Sequence, residues 1–242
     1  MNLAEVKDVV RSHFANTGFP TAFLNLALAQ GRQMIEAETN FWWMEEESTF
    51  ALNLGQDEYT IGGDVSDDIV IPLFKDAAFL HFKKNELLTW DEVPIGVEDK
   101  GELDLRYAND DHGEPEVAFI KNKSMFIYPP NPDDNYEMHF FYWQWTSNPT
   151  SNPATDDLLT FFPMALCYGA IAWGYESQLK DMQGATYWKT LLGGQPYGHG
   201  GELARMKREN FKRGWKDKVS LVPRGGPATN NKRRLGNMQI YR

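Results

Sequence analysis

The hydrophobic period of this chain changes twice along its length, and that change limits its possible folds more than any other feature. In the opening segment apolar residues recur every three or four positions: Leu24, Ala27, Leu28, Gly31, Met34 and Ile35 form one helical stripe. A shorter helix is predicted over residues 3–14, with Val6, Val9, Val10 and His13 or Phe14 on one side. Asn16, Gly18 and Pro20 then stop it. Over residues 48–145 the period falls to two. Phe50, Leu52 and Leu54 alternate with Thr49, Ala51 and Asn53, and strand-like runs follow at 59–62, 68–71, 78–82 and 87–90. Residues 117–120 and 124–128 flank Lys121-Asn122-Lys123, the pattern of a hairpin turn. The last run, 136–145, is aromatic enough to predict that both its faces are largely covered.

Helix returns after a connector rich in proline and asparagine at residues 147–155. Pro163 suits the first turn of the next helix, where its missing N–H costs nothing. Beyond it Ala165, Gly169, Ala170, Ala172 and Gly174 allow a second helix to approach closely. Leu166, Ile171, Trp173, Tyr175 and Leu179 fill the space alongside. Further helix is predicted over 185–192 and, past a glycine-rich run at 193–201, over 202–215. Pro223, Gly225, Gly226 and Pro227 argue against regular structure after that. The expected fold is α+β. A helical bundle from the N- and C-terminal thirds (1–44 and 148–215) carries an inserted antiparallel β sandwich or barrel-like module (45–147), and an extended basic arm (216–242) closes the chain.

Composition narrows the function. At 42% hydrophobic and 14% aromatic residues, the 242-residue chain is too apolar for a disordered protein. It has no run near the ~20 apolar residues that span a bilayer, nor a signal-like start, so no membrane partner is expected. Its single cysteine, Cys167, excludes an internal disulfide and fits a chain made in a cytoplasm. Charge is divided unevenly: residues 1–204 carry 12 basic and 32 acidic side chains, whereas residues 205–242 carry 12 and 2. An acidic body with a basic end is the pattern of an interacting tail.

Catalytic patterns are absent from the sequence. The glycine-rich run lacks the Gly-Lys-Ser/Thr ending of a phosphate-binding loop, and no Gly-x-Ser-x-Gly elbow occurs. Cys167 sits among apolar helical residues, which suits a buried hydrophobe better than a thiolate. Asp57-Glu58, Asp64 with Asp67-Asp68, and Asp110-Asp111-His112 with Glu114 fall where turns are expected. The five histidines show no paired ligand spacing. No enzyme activity, cofactor or metal is expected. Two other readings stay open. Trp42, Trp43, Trp90, Trp143 and Trp145 would serve a carbohydrate-binding or glycan-degrading β module as a stacking platform, and the basic tail would serve a DNA-binding protein through phosphate contacts.

The order of parts resembles the head-to-tail adaptor (connector) proteins of tailed bacteriophages. Phe41-Trp42-Trp43 leads into the β module. Phe126-Ile127-Tyr128-Pro129-Pro130-Asn131-Pro132-Asp133 then precedes the aromatic strand at 136–145, and Thr155-Asp156-Asp157-Leu158-Leu159 follows as a short polar crossover. Last comes Pro163-Met164-Ala165-Leu166-Cys167-Tyr168-Gly169-Ala170-Ile171-Ala172. The resemblance implies a virion protein of the neck, a twelve-membered ring of identical copies beneath the portal protein. The ring would extend the DNA channel and offer the tail or nozzle protein a surface. DNA would pass without specific binding, since an acidic body repels phosphates. The glycine-rich run and the long basic arm depart from the commonest short form of that family. For the arm, Trp215 is expected to act as an anchor, while Lys216, Lys218, Arg224, Lys232, Arg233, Arg234 and Arg242 meet acidic grooves of a portal or neighbour. Ser220-Leu221-Val222 and Met238-Gln239-Ile240-Tyr241 are short enough to add as strands to a partner's sheet.

Overall fold

The two hydrophobic periods resolve into a mixed α+β structure with mostly antiparallel sheets, seen in a computed structural model. It describes residues 1–15, 19–53, 56–64, 66–84, 90–96, 100–107, 112–132, 136–149, 151, 154–194 and 200–220. Helix α1 (Leu3–Phe14) begins at a capping box: Asn2 accepts from the Glu5 N–H at 3.0 Å while the Glu5 carboxylate accepts from the Asn2 N–H at 2.9 Å. A short 3₁₀ turn (Thr21–Phe23) leads into α2 (Leu24–Glu36), and a second one (Trp42–Met44) leads into the strands. These are β1 (Glu45–Ala51), β2 (Glu58–Gly62), β3 (Ile69–Val70), β4 (Phe74–Lys84) and β5 (Asp91–Val93). Helix α3 (Lys100–Arg106) interrupts them. Then follow β6 (His112–Gly113), β7 (Val117–Lys121), β8 (Ser124–Tyr128), β9 (Asn131–Pro132) and β10 (Tyr136–Gln144). The chain closes with α4 (Asp157–Phe161), α5 (Pro163–Trp173), a π-helical turn (Gly174–Leu179), α6 (Met182–Gly193) and α7 (Glu202–Ser220).

The strands form two four-stranded sheets, ordered β1-β10-β4-β5 and β3-β2-β8-β7, with β6 and β9 as a separate parallel pair. Both larger sheets contribute to one apolar cluster that includes Tyr59, Ile61, Ile69, Leu80, Val93, Met125, Met138 and Phe140. The predicted hairpin is β7–β8: Lys121 faces Ser124, and Asn122 and Lys123 both adopt positive φ (52° and 67°). That two-residue turn twists with its strands.

A second cluster draws on both ends of the chain. Val6, Val10 and Phe14 of α1 and Ala27, Leu28 and Ile35 of α2 meet Leu166, Ala170 and Ile171 of α5. The small-residue prediction for α5 holds at one contact. A Cβ on Gly31 would lie 2.5 Å from the Ala170 nitrogen, and one on Gly169 would lie 3.0 Å from the Gly31 Cα. Backbone therefore touches backbone where α2 crosses α5, and only glycine fits at that crossing.

β10 is largely covered on both faces, as expected, though unequally: Tyr136, Met138, Phe140 and Tyr142 are buried, His139, Phe141 and Trp143 are mostly covered, and Glu137 is exposed. Several expectations are corrected. β1 starts at Glu45, before the alternation begins to read clearly. Leu54 and most of the strand expected at 87–90 lie outside the described residues, and β5 sits just after that position. Helix α3 was not expected. It is short and contains Gly101, and it persists because Leu103 packs against Phe126 and Tyr128 while Asp104 accepts from the Tyr128 hydroxyl at 2.5 Å. Part of the polar crossover coils into α4, whose N-cap Asp156 accepts from the Leu159 N–H at 2.9 Å. Helix α7 runs past Trp215 to Ser220. No proline or paired glycine interrupts it there, and its many Lys and Arg side chains suit a helix C-terminus. The start of the arm expected at 216 thus belongs to this helix.

Candidate assembly interface

The joint between strands and helices is a polar hydrogen-bonded network built on two buried charges, Arg32 and Glu36. Arg32 of α2 is only 2% exposed, and three of its nitrogens donate to side chains of the connector that leaves β10. Nε donates to Asn148 Oδ1 at 2.8 Å, Nη1 to Thr146 Oγ1 at 2.7 Å and Nη2 to Asp156 Oδ2 at 2.5 Å. Glu36, one turn further along α2 and 0% exposed, accepts from the Thr146 N–H at 3.0 Å, from the Thr146 hydroxyl, and from Trp43 Nε1 at 3.4 Å. Lys75 of β4 donates to the Glu36 carbonyl and to the Thr39 carbonyl at 2.8 Å, with its ammonium 4.8 Å from the Trp145 ring centre. Burial lowers the pKa of that lysine. A buried charge network of this kind gives little net stability, yet it holds one geometry because losing any member strands the others. It therefore fixes how the sheets sit on the helices.

Helix α7 docks beside this joint, on the turn that carries Trp42. Leu203 and Met206 are buried in the helical cluster. Asn210 bridges: its Oδ1 accepts from the Trp42 N–H at 2.8 Å and its Nδ2 donates to the Asn40 carbonyl at 2.8 Å. The Arg213 guanidinium stands over two rings, 4.3 Å from Trp42 and 4.1 Å from Phe161, and Arg205 stands 5.1 Å from Phe162. Trp42 is held from behind by its Nε1, which donates to Asp157 at 2.9 Å. Lys207 pairs with Glu38 at 2.9 Å. The first half of α7 is thus fastened through aromatic and polar contacts, and its basic second half continues to Ser220.

Of the residues expected to bind partners, Trp215, Lys216 and Lys218 fall on the final turns of α7. Arg224, Lys232, Arg233, Arg234, Ile240, Tyr241 and Arg242 lie outside the described residues. Sequence reasoning missed Asn210 and Arg213, which set where the tail leaves the body, and Arg32 with Glu36. The i, i+4 spacing of Arg32 and Glu36 inside an apolar stripe was the available signal.

The sugar platform does not assemble. Trp42, Trp43, Trp143 and Trp145 pack against the helical cluster. Trp90, 39% exposed, stands elsewhere beside His139 and Lys83. The acidic turn at 64–68 holds backbone: Asp67 accepts from the Asp64 N–H at 2.7 Å and Asp68 from the Thr60 N–H at 2.9 Å. Among the described residues no three His, Cys, Asp or Glu side chains are grouped to hold a metal, and no helix is long and apolar enough to cross a membrane. Cys167 is buried, and burial pushes its thiol up to about 12.

Residues 1–209 match the SU10 adaptor protein family, and the chain belongs to that family. The match covers both helical ends, the described strands and the start of α7, and stops just short of Asn210 and Arg213. It agrees with the resemblance of the sequence motifs to head-to-tail adaptors of bacteriophages. A search of curated proteins finds no match to the chain.

Proposed function

We propose that this adaptor-family chain is a structural virion protein that forms a ring at the head–tail junction, between a portal protein and a tail or nozzle protein. In this reading the helices of both chain ends make the bundle that stacks around the ring, twelve copies in all. The β module is carried on the bundle as a rigid insert, and DNA passes through the channel without specific binding. The end of α7, with Trp215, Lys216 and Lys218, and the arm beyond Ser220 reach a portal or a neighbouring copy. The observation that carries the reading is the family match over residues 1–209, at whose end a docked helix leads straight into a basic tail. An acidic body beside a basic tail supports protein contacts for the tail and an unattractive wall for DNA.

Ending the chain after Ser220 tests this proposal. The shortened protein should fold with unchanged circular dichroism, yet enter virus particles at least about tenfold less often than the full chain, a loss near 1.4 kcal/mol of assembly energy. Equal incorporation would remove the arm from the account. Absence of the full-length chain from particles would remove the adaptor role itself.

A further inference from the structure

We propose that the open edge of β1 is the acceptor for the C-terminal arm of a second copy of this chain, an inference that rests on the ring reading above and names its neighbour contact. β1 ends the sheet β1-β10-β4-β5, so one side of it has no strand hydrogen-bonded to it among the described residues, although β3 of the other sheet lies near. Hydrogen-bond parity says which residues are available. The register places Ala51 opposite Glu137, and in continuation of it the Leu52 N–H donates to the Tyr136 carbonyl at 3.0 Å. Residues alternate in an antiparallel ladder, so Ser48 and Phe50 bond to β10 while Glu47, Thr49 and Ala51 turn their N–H and C=O groups to the open side. All three are exposed.

The charge of this edge selects its occupant. Glu45, Glu46 and Glu47 are consecutive and exposed. They repel β1 of any other copy and so oppose edge-to-edge self-pairing, the common hazard of a free strand. A basic strand meets the opposite field. The same chain supplies one: Met238-Gln239-Ile240-Tyr241 is a short β-prone run, preceded by Lys232, Arg233 and Arg234 and followed by Arg242. The residues after α7 number 22 (221–242), enough at ~3.3 Å each to span about 70 Å when fully extended, a length sufficient to meet a second copy. Main-chain bonds would give affinity, and glutamate–arginine pairing would choose this strand over others.

Cysteine trapping in the full-length chain tests the contact, since adjacent strands lie within disulfide range. Buried Cys167 is inert enough to leave in place. One preparation carries Thr49→Cys, and a second, distinguishable by size, carries Ile240→Cys or, for the neighbouring register, Met238→Cys. Mixed and gently oxidised at high concentration, they should form the crossed dimer about tenfold more than a pairing with exposed Thr186→Cys. Reversing Glu45, Glu46 and Glu47 to lysine should abolish that excess. Crossed dimer no greater than the Thr186 control, or unchanged by charge reversal, overturns the proposal. So does a doubly substituted chain that bridges only within itself. Each of these three failures leaves the ring reading standing, because that reading is judged by particle incorporation.

Discussion

Arg32 shows how one side chain can matter more for geometry than for net stability. Its fork reaches three acceptors contributed by residues 146, 148 and 156, and its charge balances buried Glu36 and the partly exposed Asp156. Arg32→Met would leave Glu36 buried without its cation, a change that costs ~3–5 kcal/mol where a buried pair is broken. Urea titration should read that loss. Arg32→Lys should recover only part of it, because an ammonium lacks the planar fork. A loss below about 1 kcal/mol would mean that water reaches the site. The sequence hid this residue for a physical reason. An Arg and a Glu at i, i+4 are as common on a solvated helix face as in a core, and the partners that bury them come from over a hundred positions away.

At the scale of elements, the crossing of α2 and α5 was the most legible feature. Gly31 inside an apolar stripe and Gly169 amid small residues both announce a close approach, and the structure brings these two together. Gly31→Ala should separate the helices and cost ~1–3 kcal/mol as overpacking, even though alanine is the better helix former. A gain in melting temperature would contradict the crossing. The β7–β8 turn was legible from Asn122, a residue that tolerates positive φ. Helix α3 and the pair β6–β9 were not. Such short pieces carry no period of their own and exist through contacts such as Leu103 on Tyr128. The end of α7 was placed too early: helix was expected as far as Trp215, yet it continues to Ser220.

Across the whole molecule, the strand-rich middle answers to pH through its tyrosines. Burial raises the pKa of Tyr59, Tyr128 and Tyr142 above the usual ~10, and Tyr107 follows in the same direction. Below pH ~10 both folded and unfolded chains keep these protons, and the contribution is complete. Above it the unfolded chain ionises first, so stability falls as pH rises toward the folded-state values. Lys75, lowered by burial, works in the other sense but is a single group. Denaturation midpoints should therefore drop between about pH 9 and about pH 11, with tyrosinate absorbance appearing late for the buried rings. A flat profile would contradict the burial of those hydroxyls. The division of charge between body and tail was legible in the sequence, as was the adaptor resemblance. The docking of α7 through Asn210 and Arg213 was not, because it depends on where Trp42 and Phe161 meet in space.

Imaging of purified virus particles by cryo-electron microscopy tests the adaptor role most directly. The account predicts density for this chain as a closed ring beneath the portal, with the helices of α5 and α7 stacked around the channel and residues beyond Ser220 laid on an adjoining subunit. Particles with no copy of the chain at the neck would contradict it.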